Sequence, residues 1–488
     1  MLVIANWRDL KHPDAGGAEV VCERLARSFA QRGHEVVLLT SAVKGERRKE
    51  RIDGYLTIRH GSRFTVYPWA LLWLMLHRSQ ISAVIDSQNG IPFFTPLAVR
   101  PTTPVLMLLH HIHQDQFAIY FSPMMARVGR WLERGGARLV YRDRTIVAVS
   151  PSTREAARRD LGLKGDIVVV PPGLDSVIIP LAGGKDRSDH PRIVCVGRLV
   201  AHKRTALIVE AIPDLLAEFP RLELHVVGNG PERPELERRT ESLGLRSNVI
   251  FHGAVDSVER DQLMRTAWMS VNASDGEGWG LSVLEANALG VPVLAYRRPG
   301  LRYSIRDRKT GWLIEEDHEL GRAISDALRS VSDEAAAEAC NVRARHWASQ
   351  FTWERMADQV QALLLAEERR LGQLPSNRRT GTDLTTVVRV PSDLLPDGKA
   401  PEFRHTDACQ MSGTDLVVLL RNADTDTAKA ALHRSALTAS GMIDERVRIS
   451  VARPIDLVSP MDSALPTAAL AAQLAVMPEE RRQNTRAG

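Results

Sequence analysis

The densest run of chemistry-bearing residues is Asn272-Ala-Ser-Asp-Gly-Glu-Gly-Trp-Gly-Leu-Ser-Val-Leu-Glu-Ala-Asn-Ala-Leu-Gly-Val-Pro-Val293, which reads as strand, glycine-rich loop, helix, turn and strand. Gly276, Gly278 and Gly280 let the backbone approach a ligand closely, and the helix expected to start near Leu281 points unpaired N–H groups and a positive dipole end at it. A phosphate suits that place. Glu277 in the loop could then accept hydrogen bonds from sugar hydroxyls, and Glu285, about a turn into the helix, from a ribose. Two glutamates eight positions apart are also ordinary capping chemistry, so the reading depends on what accompanies them.

Three other segments accompany them. Val194-Cys-Val-Gly-Arg-Leu199 with Lys203 offers two cations after an expected strand, able to neutralise a departing diphosphate; alone, such a motif is usually surface decoration. Gly16-Gly17-Ala18-Glu19 lies between the first strand and first helix, where doubly wound sheets bring backbone close to phosphate. It lacks the G-x-G-x-x-G spacing of a nicotinamide site, which argues against a dehydrogenase. Leu108-Leu-His-His-Ile-His-Gln-Asp-Gln-Phe117 ends another strand at the ligand edge. Its His110, His111 and His113 do not suggest a metal, since neighbours on an extended chain point oppositely and no carboxylate set joins them. Asp424-Thr-Asp426 is the only D-x-D of interest, and it is expected to start a helix in the tail.

Together these segments resemble the family-4 glycosyltransferases, retaining enzymes of the GT-B fold whose signature is E-x7-E in the context EG(F/W)G-x-x-x-LE-A-x-A-x-G-x-P-V. The chain supplies Glu277-Gly-Trp-Gly280, Leu284-Glu-Ala286, Ala288, Gly290 and Pro292-Val293 in order. The resemblance implies that Glu277 contacts the transferred sugar, that Glu285 holds the ribose, and that the backbone of Gly278, Trp279, Gly280, Leu281 and Ser282 meets sugar and diphosphate. It further implies that Arg198 and Lys203, after Gly197, grip the diphosphate, and that Gly16 and Gly17 face it. A histidine at the end of the strand touches the sugar in this family; counting along the strand, His110 matches best and His111 second. Val147-Ala-Val-Ser150, Val170-Pro-Pro-Gly-Leu-Asp175, Val227-Gly-Asn-Gly-Pro231 with Gly228, and Phe251-His-Gly-Ala-Val255 fit the same frame, with Pro172 where the family has Asn. The segment Arg298-Pro-Gly-Leu-Arg302 departs from the usual G-G-x-x-E loop and lacks its acidic residue. Implied with the family are a UDP- or GDP-linked sugar donor, front-face transfer with retention, and neither divalent metal nor other cofactor.

These residues need elements to hold them. Runs rich in Val, Ile and Leu alternate with amphipathic stretches, the pattern of βα units around parallel sheets. Strands are expected at Leu2 to Ala5, Glu35 to Thr40, Ala83 to Asp86, Val105 to Leu109, Thr145 to Val149 and Ile167 to Val170, then, past a polar linker at 182–191, at Ile193 to Val196, Leu222 to Val227, Asn248 to Phe251, Met269 to Asn272 and Val291 to Ala295. The expected fold class is α/β, with two successive Rossmann-like doubly wound domains over residues 1–181 and 190–350 and a long amphipathic helix over 353–370. The resemblance implies that the domains face a cleft, the first on the acceptor side and the second on the donor side, and that the long helix returns to the first domain. Residues 373–488 form a small α+β or partly disordered extension, with a flexible stretch at Gly372 to Arg379, a strand-helix-strand unit at Asp415 to Leu420, Thr427 to Ala439 and Arg446 to Ala452, and a disordered end at Pro478 to Gly488.

Composition agrees with a globular chain: of 488 residues, 44% are hydrophobic and 25% charged, and the formal net charge of +5 does not argue for nucleic acid. Four scattered cysteines, no secretory pattern after Met1, and an apolar run at Val66 to Leu76 too short to span a bilayer point to a cytoplasmic protein. Arginines mixed with Met, Phe, Tyr and Trp between Phe117 and Arg144, with Trp69 to Leu76, suggest contact with an anionic membrane surface and a lipid-linked or envelope acceptor. The ordinary alternative is a solvated helix face over a core stripe. A non-catalytic sugar-nucleotide or glycan-binding protein is the rival function, which predicts a damaged donor site; a nucleic-acid binder would need an uninterrupted basic stripe, whereas acids interrupt these arginines.

Overall fold

The computed structural model describes residues 1–114, 117, 121–174, 187–372, 385–395, 408–421, 423, 425–434, 444 and 446–451. The first domain carries eight strands: β1 (Leu2–Ala5), β2 (Val36–Thr40), β3 (Lys49–Ile52), β4 (Tyr55–Arg59), β5 (Ala83–Asn89), β6 (Val105–His111), β7 (Thr145–Ala148) and β8 (Ile167–Val169). They lie in the order β3-β4-β2-β1-β5-β6-β7-β8, with β3 antiparallel to β4 and the other pairings parallel. β1, β2 and β7 are buried on both faces, as continuous apolar runs in a covered sheet must be. One face packs under helix Gly17–Gln31, through Val21, Leu25 and Phe29, and the other under helix Val66–His77, through Val66, Ala70 and Leu74.

The second domain has six parallel strands: β9 (Arg192–Val196), β10 (Glu223–Val227), β11 (Val249–Gly253), β12 (Met269–Asn272), β13 (Val293–Tyr296) and β14 (Gly311–Ile314), ordered β11-β10-β9-β12-β13-β14. In each sheet the winding reverses beside the first strand, between β1 and β5 and between β9 and β12. Crevices for ligands open at such places, outside the carboxyl ends of the strands.

The chain then returns. Helix Trp353–Gly372 lays Trp353, Met356, Val360, Leu363 and Leu364 into the core of the first domain, and its buried Glu367 accepts a hydrogen bond from Thr145 Oγ1 at 3.0 Å. At the crossing Leu174 and Thr352 form a bridge, and a Cβ on Gly173 would stand 2.2 Å from the backbone of Thr352 and Trp353. Only glycine permits that approach.

Sequence patterning did not anticipate β3, β4 or β14. β3 reads Lys-Glu-Arg-Ile on an exposed edge, β4 buries Arg59 against Asp9 and Glu50, and β14 is four residues long. The apolar run from Val66 forms a helix that leaves Leu72, Met75 and Leu76 in solvent. In the tail, β15 (Thr385–Pro391), β16 (Ala408–Ser412), β17 (Asp415–Arg421) and β18 (Arg448–Val451) form one antiparallel sheet ordered β16-β17-β15-β18, richer than the expected strand-helix-strand unit. Helix Thr425–Arg434 covers one face through Ala428 and Leu432, and Arg355 Nη2 ties the module to the long helix by donating to the Ile449 carbonyl at 2.7 Å. The expected flexible stretches at 373–379 and 478–488, Asp175, residues 182–186 of the linker, Ala452, Asp424 and 435–439 lie outside the described residues.

Candidate active site

The site's geometry begins where β9 and β10 end. Gly228 has φ +138°, and a Cβ there would lie 1.9 Å from the Gly197 carbonyl, so the two turns meet backbone to backbone. Arg198, Val200, Gly228 to Pro231, Ala254, Val255 and Arg260, with Pro13 to Ala15 of the first domain, line a cavity of about 650 Å³. Across it the domains nearly touch: a Cβ on Gly17 would lie 3.3 Å from Leu281, and one on Gly16 would lie 3.8 Å from Arg198 Nε. Two helix N-termini, at Gly17 and Leu281, thus converge beside Arg198. Oriented N–H groups and a guanidinium make an anion site.

After β12 the loop turns Glu277 back toward the helix Ala201–Lys203. Lys203 Nζ pairs with Glu277 Oε1, and the Ser274 hydroxyl donates to the same oxygen at 2.9 Å. Burial pushes the Glu277 carboxyl up, but Lys203 and Ser274 outweigh it and hold it below the usual range, so it is ionised at neutral pH. Gly280, at φ +94°, ends the loop and caps the helix Leu281–Ala288, whose first residues include Ser282. In that helix Glu285 accepts from Arg260 Nη1 at 2.9 Å. The Trp279 ring does not line the cleft; it packs with Leu284, Trp347 and Phe351, so only its backbone can face a ligand.

The histidines separate. His110 is buried, its Nε2 3.0 Å from Ser87 Oγ, which in turn bonds Asn6; burial pushes its pKa down to about 3, leaving a neutral ring. Its carbonyl faces the donor loop, since a Cβ on Gly278 would come within 2.6 Å of it. Of these histidines His111 feels Glu277 and Lys203, as does His202 beside Lys203; burial lowers the pKa of His111 most, and the Glu277 charge opposes that.

Several residues had no signal in the sequence. Arg8 Nε donates to Glu19 Oε1 at 3.1 Å, while Glu19 Oε2 accepts from the Gly16 N–H at 2.7 Å; Arg8 is near enough to Arg198 for the two cations to repel. Glu133, fully buried on the π-helix Leu132–Gly136, accepts from the His113 N–H at 2.7 Å and from Gln114 Nε2 at 2.6 Å, fixing the loop after His111. Arg8 and Glu133 act through contacts with other elements, whereas the Glu19 contact to Gly16 is a local capping one. Among the described residues no group of three or more His, Cys, Asp or Glu is placed to hold a metal ion.

The first domain also exposes apolar side chains. Phe64, at the start of helix Val66–His77, contacts Phe121 just before helix Pro123–Trp131, and Arg63 lies over both rings. Beyond them Met124 (78% exposed), Trp131 (64%) and Leu139 (77%) stand in solvent beside exposed Arg127, Arg134 and Arg138. No described helix is long and apolar enough to cross a membrane.

Residues 15–177 match the sequence family described as Glycosyltransferase Family 4, and residues 183–347 that described as Glycosyl transferases group 1. The alpha-monoglucosyldiacylglycerol synthase of Streptococcus pneumoniae is 31% identical over 68% of this chain and 79% of its own. The GDP-mannose-dependent alpha-(1-6)-phosphatidylinositol monomannoside mannosyltransferase of Mycolicibacterium smegmatis is 30% identical over 47% of this chain, and the D-inositol 3-phosphate glycosyltransferase of Geodermatophilus obscurus 32% over 48%. Of these last two the chain spans 65% and 48% of the length. In fold it is similar to the sucrose-phosphate synthase of Thermosynechococcus elongatus, with a TM-score of 0.62 at 20% identity over 74% of this chain and 97% of that one.

Proposed function

Because this chain belongs to the family-4 glycosyltransferases and has their GT-B fold, we propose that it transfers a hexose from a UDP- or GDP-linked sugar, with retention and without a divalent metal. The observation that carries this reading is the convergence of Arg198, Lys203 and Glu277 on the N-terminus of helix Leu281–Ala288, opposite Gly16 and Gly17. In this reading the acceptor hydroxyl attacks from the face the diphosphate leaves. A new C–O bond forms as the sugar–phosphate bond breaks, and the departing phosphate oxygen takes the hydroxyl proton. Arg198, Lys203 and the helix end stabilise the charge that develops on the diphosphate. Glu277 holds sugar hydroxyls, Glu285 the ribose, and the half-buried His111, whose ring feels the Glu277 charge, faces the sugar; His110, committed to Ser87, supports the strand end. A non-catalytic relative predicts a damaged donor site, whereas this chain carries Glu277, Glu285, Arg198 and Lys203. Incubating the protein with a panel of UDP- and GDP-linked hexoses should show slow hydrolysis or transfer of at least one; binding of none of them overturns the reading.

The acceptor is a lipid-linked or envelope glycan reached at the cytoplasmic face of a membrane. Supporting this are the exposed Met124, Trp131 and Leu139 among arginines, a pattern that suits anionic lipid, and two relatives whose names carry a lipid, one a phosphatidylinositol monomannoside and the other a glucosyldiacylglycerol. Vesicles containing phosphatidylglycerol should sediment the protein, neutral ones should not, and Met124→Glu with Trp131→Glu should weaken binding by about tenfold, since each loses buried apolar area and adds repulsion. Equal sedimentation of wild type and variant would remove the membrane from the account.

A further inference from the structure

The loop after β13 lacks the acidic residue its family carries there, yet it is not left without one. Helix Pro151–Arg159 of the first domain begins at the end of β7 and points its first two turns across the cleft at this loop. Ser152 Oγ, buried, accepts a hydrogen bond from the Gly300 N–H at 3.0 Å. One turn on, Glu155 accepts from Arg302 Nη2 at 2.5 Å with one carboxylate oxygen and from the Tyr303 hydroxyl at 3.1 Å with the other. The same loop is the rear wall of Glu277: the Glu277 N–H donates to the Pro299 carbonyl at 3.0 Å, and a Cβ on Gly300 would stand 2.3 Å from the Glu277 carbonyl. On the other side of Glu277, Gly278 seats against the carbonyl of His110 and Val149 of the first domain. Glu277 is therefore held by a loop whose two sides both rest on the opposite domain.

We infer that Ser152 and Glu155 are positioning residues of the transfer reaction: by clasping Gly300, Arg302 and Tyr303 across the cleft they set Glu277 against the sugar when the domains are together. This rests on the donor reading above and adds to it a charge pair in which the acid comes from the acceptor-side domain instead of the loop itself. An exposed ion pair contributes little to stability. Its value here is in selecting one arrangement of two domains, so its loss is expected in turnover and not in nucleotide binding, because the cavity lined by Arg198, Gly228 and Arg260 lies mostly on the second domain.

The test is a charge swap read on sugar-nucleotide turnover. Glu155→Arg and Arg302→Glu, made singly, should each lower kcat by about five- to tenfold, in keeping with a closure step that gates chemistry, and leave the Kd for the nucleoside diphosphate within about twofold. The double variant, Glu155→Arg with Arg302→Glu, should recover most of kcat, which a merely structural defect would not do. Melting temperatures of all three report folding, and Glu155→Gln, which keeps the hydrogen-bonding shape, serves as a milder variant expected between wild type and Glu155→Arg. Single variants with wild-type kcat, a double variant no better than the singles, or a fall in nucleotide affinity matching the fall in kcat would each overturn the inference. If the wild type turns over no sugar nucleotide, the failure belongs to the donor reading; if it does and the variants match it, the failure belongs to the clasp.

Discussion

Glu277→Ala is expected to reduce sugar transfer by about two to three orders of magnitude, the range seen when a preorganised polar contact to a reacting centre is lost. The side chain is nearly enclosed, ionised through Lys203 and Ser274, and at the tip of a loop that glycines hold against both domains. In the proposed reading its removal takes away the acceptor for sugar hydroxyls; it also leaves the Lys203 ammonium without its carboxylate, so ground-state charge at the site changes as well. Glu277→Gln separates the two: it keeps the volume and the Ser274 contact but not the charge. Steady-state kinetics on the preferred donor, with nucleotide affinity measured separately, are the check. A Glu277→Ala enzyme with wild-type kcat would end the role assigned to this residue.

Arg198→Ala should be of similar severity, but with a different signature. Arg198 lies in the wall of the cavity, within reach of the Gly16 backbone and repelled by Arg8. Arg8 is already paired with buried Glu19, which leaves Arg198 as a cation at this wall for the diphosphate of the proposed donor to meet. The variant should therefore lose affinity for the free nucleoside diphosphate as well as kcat, by about tenfold and a hundredfold or more respectively. Calorimetric titration with the diphosphate, beside turnover, distinguishes this from the Glu277 variants, whose loss should fall on turnover alone. Unchanged diphosphate affinity in Arg198→Ala would move the leaving group elsewhere.

The parallel strands were legible because strands buried on both faces have to be almost wholly apolar, and β1, β2, β8 and β13 are. Strands held by charge were not: β4 carries Arg59 into the interior because Asp9, fifty residues earlier, meets it at 2.5 Å and Glu50 at 2.7 Å. Motif residues near one another in sequence, Glu277 to Glu285 and Arg198 to Lys203, could be read as a unit since one turn or one helix fixes their spacing. Arg8, Glu133 and Glu155 could not, because their partners come from other elements. The two histidines show a finer limit. β5 pairs Gln88 with Leu109 and Asn89 with His111, so a bulge passes over His110 and breaks the in-and-out alternation on which counting along a strand depends. That bulge sends one ring to Ser87 and leaves the other near Glu277.

The return of helix Trp353–Gly372 to the core of the first domain also bears on the order in which this protein folds. Domains emerging from a ribosome generally fold as they appear, amino end first. Here the earlier half has to wait, since the helix that closes its core is encoded after the whole of the later half. For that interval a nascent chain shows an open seam where Trp353, Met356 and Leu363 will lie, and a gene cut short of residue 353 would leave the seam permanently unfilled.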